Sequence, residues 1–327
     1  MYSQDWSAYN EAQTNEKMLF MKLLDELSAQ PQAVSSSVGR PKLNLHDMIF
    51  SLCLATYCGK SSRRATSELE LAKSIEFIRQ KPHFNTLLNY FKREEITPIL
   101  HKLVAISSLP LKQIESDFAV DSSGFSTSEF DRWFEHKWGI PHNRKSKKTK
   151  QRRWIKAHVM CGVKTNVITS IEITDGHAND TTMFVPLVNK TSKNFNMVEV
   201  SADKAYLSRK NLTCVDSFGA RPFIPFKSCS VRTARRSPIW SKMYDLFQSQ
   251  WYFKKHYHKR SNVETVFAMM KRKFSPRIRT KNFVSQTNEL LCMAVCHNIC
   301  VLIQEMYELG IKIDFNKCAN EILHNKL

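Results

Sequence analysis

Apolar positions along the chain follow two different rhythms. Over the first third they recur at helical spacing, which predicts helices over 18–27, 45–58, 64–79, 85–92 and 98–107, after a polar, frayed opening at 1–15. The stretch PQAVSSSVGRPK, Pro31 to Lys42, collects Pro, Ser and Gly and reads as a linker, while Pro82 and Pro98 mark breaks or helix starts. From residue 117 short apolar runs take over. They predict strands over 118–120 (ending at Asp121), 154–163, 167–173, 197–202 (ending before Asp203) and 221–226. Helices are expected between them at 181–188 and 208–218. Residues 227–250, rich in Ser and Arg, look like an irregular insertion, and two long helices should close the chain over roughly 251–274 and 285–308. The expectation is a mixed α/β domain behind a helical region.

Charge narrows the class of partner. Of 327 residues, 49 are Lys or Arg and 30 Asp or Glu, a net charge of +19 that calls for an acidic partner, nucleic acid first. The run from Arg144 to Lys156 has eight cations and no acid, and the run from Trp251 to Lys281 has ten against Glu264 alone. No two of the eight glycines lie within ten residues of each other, which excludes the glycine-rich loops that cradle nucleotides. Nine irregularly spaced cysteines without a C-x-x-C pair fit reduced thiols in a cytoplasmic protein. The most apolar stretch, Leu290 to Ile303, is interrupted by His297 and Asn298, and the N-terminus has no apolar signal core, so no membrane partner is expected.

Three carboxylates are candidates for chemistry. Asp121 and Asp203 each follow an apolar strand, where ligand sites of open α/β sheets gather, although either alone could simply cap a turn. Glu264 falls in YHKRSNVETVFAMMK. Read as one helix, this segment places Tyr257, Arg260, Glu264 and Lys271 within an arc of roughly 60°. Val263, Phe267, Met270 and Phe274 form an apolar stripe beside them that would anchor the helix.

These residues resemble the insertion-sequence DDE transposases, in particular the small groups numbered four and five, whose third acidic residue lies in a Y-x2-R-x3-E-x6-K signature. Tyr257, Arg260, Glu264 and Lys271 meet every interval, and AVDSSGFS and SADKAYLS supply Asp121 and Asp203 as the first two acids. The resemblance runs from about Gly39 through the C-terminal helices. It implies an RNase H-like fold, a mixed five-stranded sheet flanked by helices, preceded by an all-helical DNA-binding region. The division is then 1–115 for end binding and 116–327 for catalysis, with a short insertion at about 227–250.

The same resemblance implies that Asp121, Asp203 and Glu264 hold two Mg²⁺ ions, with Mn²⁺ as a substitute, for cutting DNA phosphodiesters and joining 3′-hydroxyls to target DNA. Arg260 and Lys271 would hold phosphates of the element end, Tyr257 would pack on its terminal nucleotides, and Lys204 would lie near the second acid. Arg144, Lys145, Lys147, Lys148, Arg152 and Arg153 offer a further phosphate track or reach toward a partner subunit. The expected partners are double-stranded DNA and a second copy of the chain, in a cytoplasmic, nucleoid-associated setting. A DNA-binding descendant that has lost cleavage, and a structure-selective nuclease on the same core, are the alternatives.

Several other features read more plainly. Asp180 precedes a helix and is expected as its N-cap rather than a fourth metal ligand. Cys292, Cys296 and Cys300 beside His297 fit a buried helix better than a metal site. Gly39 to Lys42 reads as a linker rather than a minor-groove hook, the helices over 64–92 are compatible with a helix-turn-helix, and Trp240 and Trp251 could stack on a base or pack the insertion.

Overall fold

The computed structural model describes residues 5–31, 43–127, 154–233 and 237–324. Five helices come first: α1 (Trp6–Ser28), α2 (Leu45–Tyr57), α3 (Ser62–Ser74), α4 (Phe84–Phe91) and α5 (Ile96–Ser108). The first starts well before the expected position. Asp5 caps it by accepting the Ser7 and Ala8 amides at 3.0 and 3.1 Å, and its buried face begins with Ala8, Ala12 and Glu16. Small and polar residues carry that first contact, so an apolar count misses it. The third helix ends at Ser74, short of 79, because Glu76 takes a positive φ of 65°. Residues 75–83 separate α3 from α4, a longer link than the tight turn of a helix-turn-helix.

A five-stranded mixed sheet follows, built from β1 (Asp117–Ser126), β2 (Trp154–Gly162), β3 (Ile168–Asp175), β4 (Glu199–Ala202) and β5 (Arg221–Phe223) in the order β3-β2-β1-β4-β5. Strand β2 runs antiparallel to both neighbours, whereas β1, β4 and β5 are parallel. Helices α6 (Thr181–Ser192) and α7 (Arg209–Ser217) link β3 to β4 and β4 to β5. The expected irregular insertion instead contains a helix, α8 (Pro238–Gln248), with Pro at its first turn. Trp240, Tyr244 and Phe247 pack their rings on Phe226, so Trp240 serves packing.

The closing helices are α9 (Gln250–Tyr257), α10 (Ser261–Lys273), α11 (Phe283–Glu308) and α12 (Phe315–His324). Helix α6 lies against the face of the sheet that carries Ser170, whose hydroxyl bonds the Leu187 carbonyl, and Glu172, which pairs with Lys190 at 2.5 Å. Helix α10 covers β1 and β2 on the face that carries Ser123, and helices α5 and α11 pack against β3. Helix α11 is long and apolar enough to cross a membrane by length and composition, but its most apolar 18 residues are 78% buried within the fold. Helices α1, α2, α4 and α5 all pack against it. Its cysteines sit in this core, where the Cys296 thiol donates to the Cys53 carbonyl at 3.3 Å.

Candidate active site

The three carboxylates are assembled by register and by one arginine. Strand β1 extends beyond the apolar run and Asp121 lies inside it, paired with Val159 of β2 all the way out to Ser126 and Trp154. Backbone pairing rather than hydrophobicity carries the strand past Asp121. On its other side the parallel ladder with β4 ends at Val120 and Ala202, so Asp121, still within β1, and Asp203, just past β4, are the next residue on each side. Asp203 opens a 3-10 turn, Lys204–Tyr206, and accepts the Lys204 amide at 2.6 Å. The Lys204 side chain is exposed beside it, whereas Tyr206 is buried against Phe184 of α6.

Glu264 comes from the opposite layer. The segment expected as one helix over 251–274 is two, α9 and α10, joined by a 3-10 turn at His258–Arg260. Tyr257 therefore ends one helix, Arg260 sits in the turn, and Glu264 and Lys271 lie on the second. The break does not scatter them. Arg260 donates to Asp121 at 2.6 Å and to Glu264, and its guanidinium lies 6.0 Å from the Tyr257 ring. Lys271 donates to Ser123 at 2.7 Å and stands 5.1 Å from the Phe125 ring. Val263, Val266, Phe267, Met270 and Phe274 are buried, as the apolar stripe requires.

Burial pushes the Asp121 carboxyl up from its ordinary value, and the nearby charges of Asp203 and Glu264 push it the same way, against the Ser122 amide and Arg260. For Arg260 burial opposes the charged form, but Asp121, with Tyr257 and Glu264, holds its pKa up. Burial lowers the Lys271 ammonium and raises the Tyr257 phenol. Among the described residues no three His, Cys, Asp or Glu side chains form a ready-made metal cage. At this site Arg260 occupies the space between Asp121 and Glu264.

Asp180 takes the N-cap position of α6, but its side chain makes no cap hydrogen bond. It pairs instead with Lys156 at 2.9 Å, with His158 at 3.7 Å. Lys156, the last cation of the first basic run, is thus held inside the fold and also donates to the Ala178 carbonyl at 3.0 Å. Arg144, Lys145, Lys147, Lys148, Arg152 and Arg153, and the Gly39 to Lys42 segment, lie outside the described residues. In the second run Lys259, Arg260, Lys271, Lys273 and Arg279 have internal partners, while Lys254, Lys255 and Arg272 are exposed. Trp251 is 79% exposed, with Lys255 5.9 Å from its ring. Ser123 and Lys259 were not among the expected site residues, since neither a serine after an apolar strand nor a lysine in a basic run stands out by type.

No curated protein matches the chain. A solved piggyBac transposase synaptic complex with hairpin DNA superposes with a TM-score of 0.41 at 12% identity, covering 94% of this chain and 77% of that one. The sequence profile of the family described as Transposase DDE domain matches residues 112–299, which span β1 to β5 and most of α11 and hold Asp121, Asp203 and Glu264. The chain belongs to the transposase DDE domain family.

Proposed function

We propose that this transposase binds the inverted ends of its own insertion sequence, cuts the DNA at the site made by Asp121, Asp203 and Glu264, and joins the 3′-hydroxyls to target DNA. The observation that carries the reading is the meeting of Asp121 and Asp203 at the end of a parallel ladder, with Arg260 tying Glu264 to Asp121. Three acids in mutual reach destabilise one another and favour a cation of high charge. Carboxylate oxygens suit Mg²⁺ or Mn²⁺. Divalent ions held by Asp121, Asp203 and Glu264 would supply charge to polarise the scissile phosphodiester and acidify the attacking oxygen.

The remaining work falls to the chain's own groups. Arg260 has a planar fork that matches a phosphate as well as a carboxylate, so an element end competes with Asp121 and Glu264 for it. Lys271 offers a second cation close by, Tyr257 a ring for the terminal nucleotide, and Lys204 an exposed charge next to Asp203. Exposed Lys254, Lys255 and Arg272 extend the positive surface along α9 and α10. The helices over 1–115 would read the element ends, and a second copy would serve the second end, in the cytoplasm at the nucleoid.

The test uses labelled DNA carrying the element's flanking ends, with Mg²⁺ or Mn²⁺, and wild type beside Glu264→Gln. Wild type should cut and join only with metal, and the variant should bind the ends but not cut them. Cutting by the variant at the wild-type rate removes Glu264 from the reading. Binding without cutting by either protein points to a DNA-binding descendant, and cutting without joining points to a nuclease.

A further inference from the structure

The face of β1 that carries Asp121 also carries Asp117, Ala119, Ser123 and Phe125, because side chains alternate along a strand. The parallel register sets Asp117 opposite Glu199 of β4. Two carboxylates directly opposite on neighbouring strands repel unless a cation stands between them. Lys259 is that cation, with Nζ 2.7 Å from an oxygen of each. The other Glu199 oxygen lies 2.7 Å from His256 Nδ1, and the His256 ring stacks on Phe223 of β5 at 4.7 Å. Burial works against the Lys259 charge, but the two carboxylates hold its pKa up, while Lys259 and His256 hold the Glu199 carboxyl down against burial.

Lys259 and Arg260 are consecutive in the 3-10 turn that opens α10, yet they reach opposite ways along β1. One binds at Asp117 and the other at Asp121, four residues and about 13 Å apart along the strand. The turn is therefore fixed from two directions. The last turn of α10 is tied to β1 by the Lys271 bond to Ser123, and the segment that follows it by Ser126, whose amide donates to the Pro276 carbonyl at 3.2 Å and whose carbonyl accepts the Ile278 amide at 2.8 Å.

We propose that Lys259 is a positioning residue for the cleavage site: by bridging Asp117 and Glu199 it sets the turn from which Arg260 and Glu264 reach Asp121. The inference rests on the reading of that site given above. Lys259 fills one of the two unspecified positions between Tyr257 and Arg260 in the Y-x2-R-x3-E-x6-K signature, and it bonds Asp117 and Glu199 rather than any of the three acids.

The experiment compares wild type, Lys259→Met, Lys259→Arg and a neutral triple variant, Lys259→Met with Asp117→Asn and Glu199→Gln. Four quantities are read: thermal midpoint, end binding, cleavage at saturating DNA with Mn²⁺, and hydrogen exchange over 257–273 against α11. Misplacing a reacting group by about 1 Å costs on the order of a hundredfold in rate, and Lys259→Met should lose about that much in cleavage while end binding stays within about threefold. Exchange should rise in 257–264 and not in α11. Lys259→Arg should recover most of both.

The triple variant separates positioning from charge balance. It should regain the thermal midpoint, because no carboxylate is left unpaired, and still cut slowly with a loosened turn. If it regains cleavage and protection as well, or if Lys259→Met cuts and exchanges like wild type, the proposal is overturned. If Lys259→Met does not fold, the triple variant alone decides. A wild type that fails to cut would sink the functional reading, while the exchange measurement would still judge whether Lys259 holds the turn.

Discussion

Arg260 sits where two demands meet. Its guanidinium satisfies Asp121 and Glu264 together, so the carboxylates that would receive a divalent ion already have a counter-charge within the chain. Any ion must compete with that guanidinium, and a DNA phosphate can draw it away by accepting both arms of its fork on one group. Metal binding should therefore be weak before DNA arrives and strong after. The Arg260→Gln variant removes the competitor. Titrated calorimetrically with Mn²⁺ at pH 8 without DNA, it should bind the ion at least about tenfold tighter than wild type, because a unit charge a few ångströms from the site has been removed. Wild type should close much of that gap when a duplex of the element end is added. Equal affinities for the two proteins without DNA would show that Arg260 does not compete. The variant should cut poorly all the same, because in the proposed reading Arg260 holds a phosphate of the element end.

Elements were legible where hydrophobic spacing decides them and obscure where polar contacts do. The helices at 45–57 and 84–91, the β2–β3 hairpin and the stripe of Val263, Phe267, Met270 and Phe274 follow from apolar periodicity, and the structure places them close to the expected limits. The first turns of α1 were hidden because Glu16, a buried acid paired with Lys273 and Tyr57, occupies a position where an apolar residue would have announced the helix. Asp121 was placed at a strand end because the apolar run stops there, although backbone pairing continues. Asn298 is the sharpest case. In the sequence it only interrupts an apolar stretch, yet in the fold it is fully buried and works as a neighbour to edge strand β3. Its Oδ1 accepts the Ile168 amide at 2.8 Å, and its Nδ2 donates to the Ile168 carbonyl at 2.8 Å and to Ser107 at 3.0 Å. Asn298→Ala should cost about 2–4 kcal/mol, since it leaves several buried backbone groups without partners. Urea unfolding checks this, and a loss under half a kcal/mol would mean that the edge strand finds other partners.

At the scale of the whole molecule, the excess of cations pointed to an acidic partner, but it could not show that Lys156, Lys259 and Lys273 are held by acids inside the fold. Burial also acts on the histidines. It pushes His101, His158 and His297 down to about 4, in α5, β2 and α11 respectively. In the unfolded chain each titrates near its ordinary value, about 6.5. The unfolded state therefore takes up protons first as pH falls, and the stability each neutral ring contributes is present above about 6.5 and lost progressively toward about 4. Glu305 works in the opposite sense. Burial, with Glu308 and Glu115, raises it to about 7, so its share is complete below its ordinary value and lost as pH rises through about 7. Because these shifts oppose one another in one window, a wild-type profile alone does not isolate any of them, but a difference between two proteins does. His297 is the cleanest choice, buried with its Nε2 2.9 Å from the Asn166 carbonyl. At pH 7.5 wild type should resist urea better than His297→Gln, which loses that contact. The gap should narrow steadily from about pH 6.5 to about 4, because only wild type carries the cost of a ring that must stay neutral. A gap constant across that range would mean that His297 is as free to take a proton in the folded state as in the unfolded one.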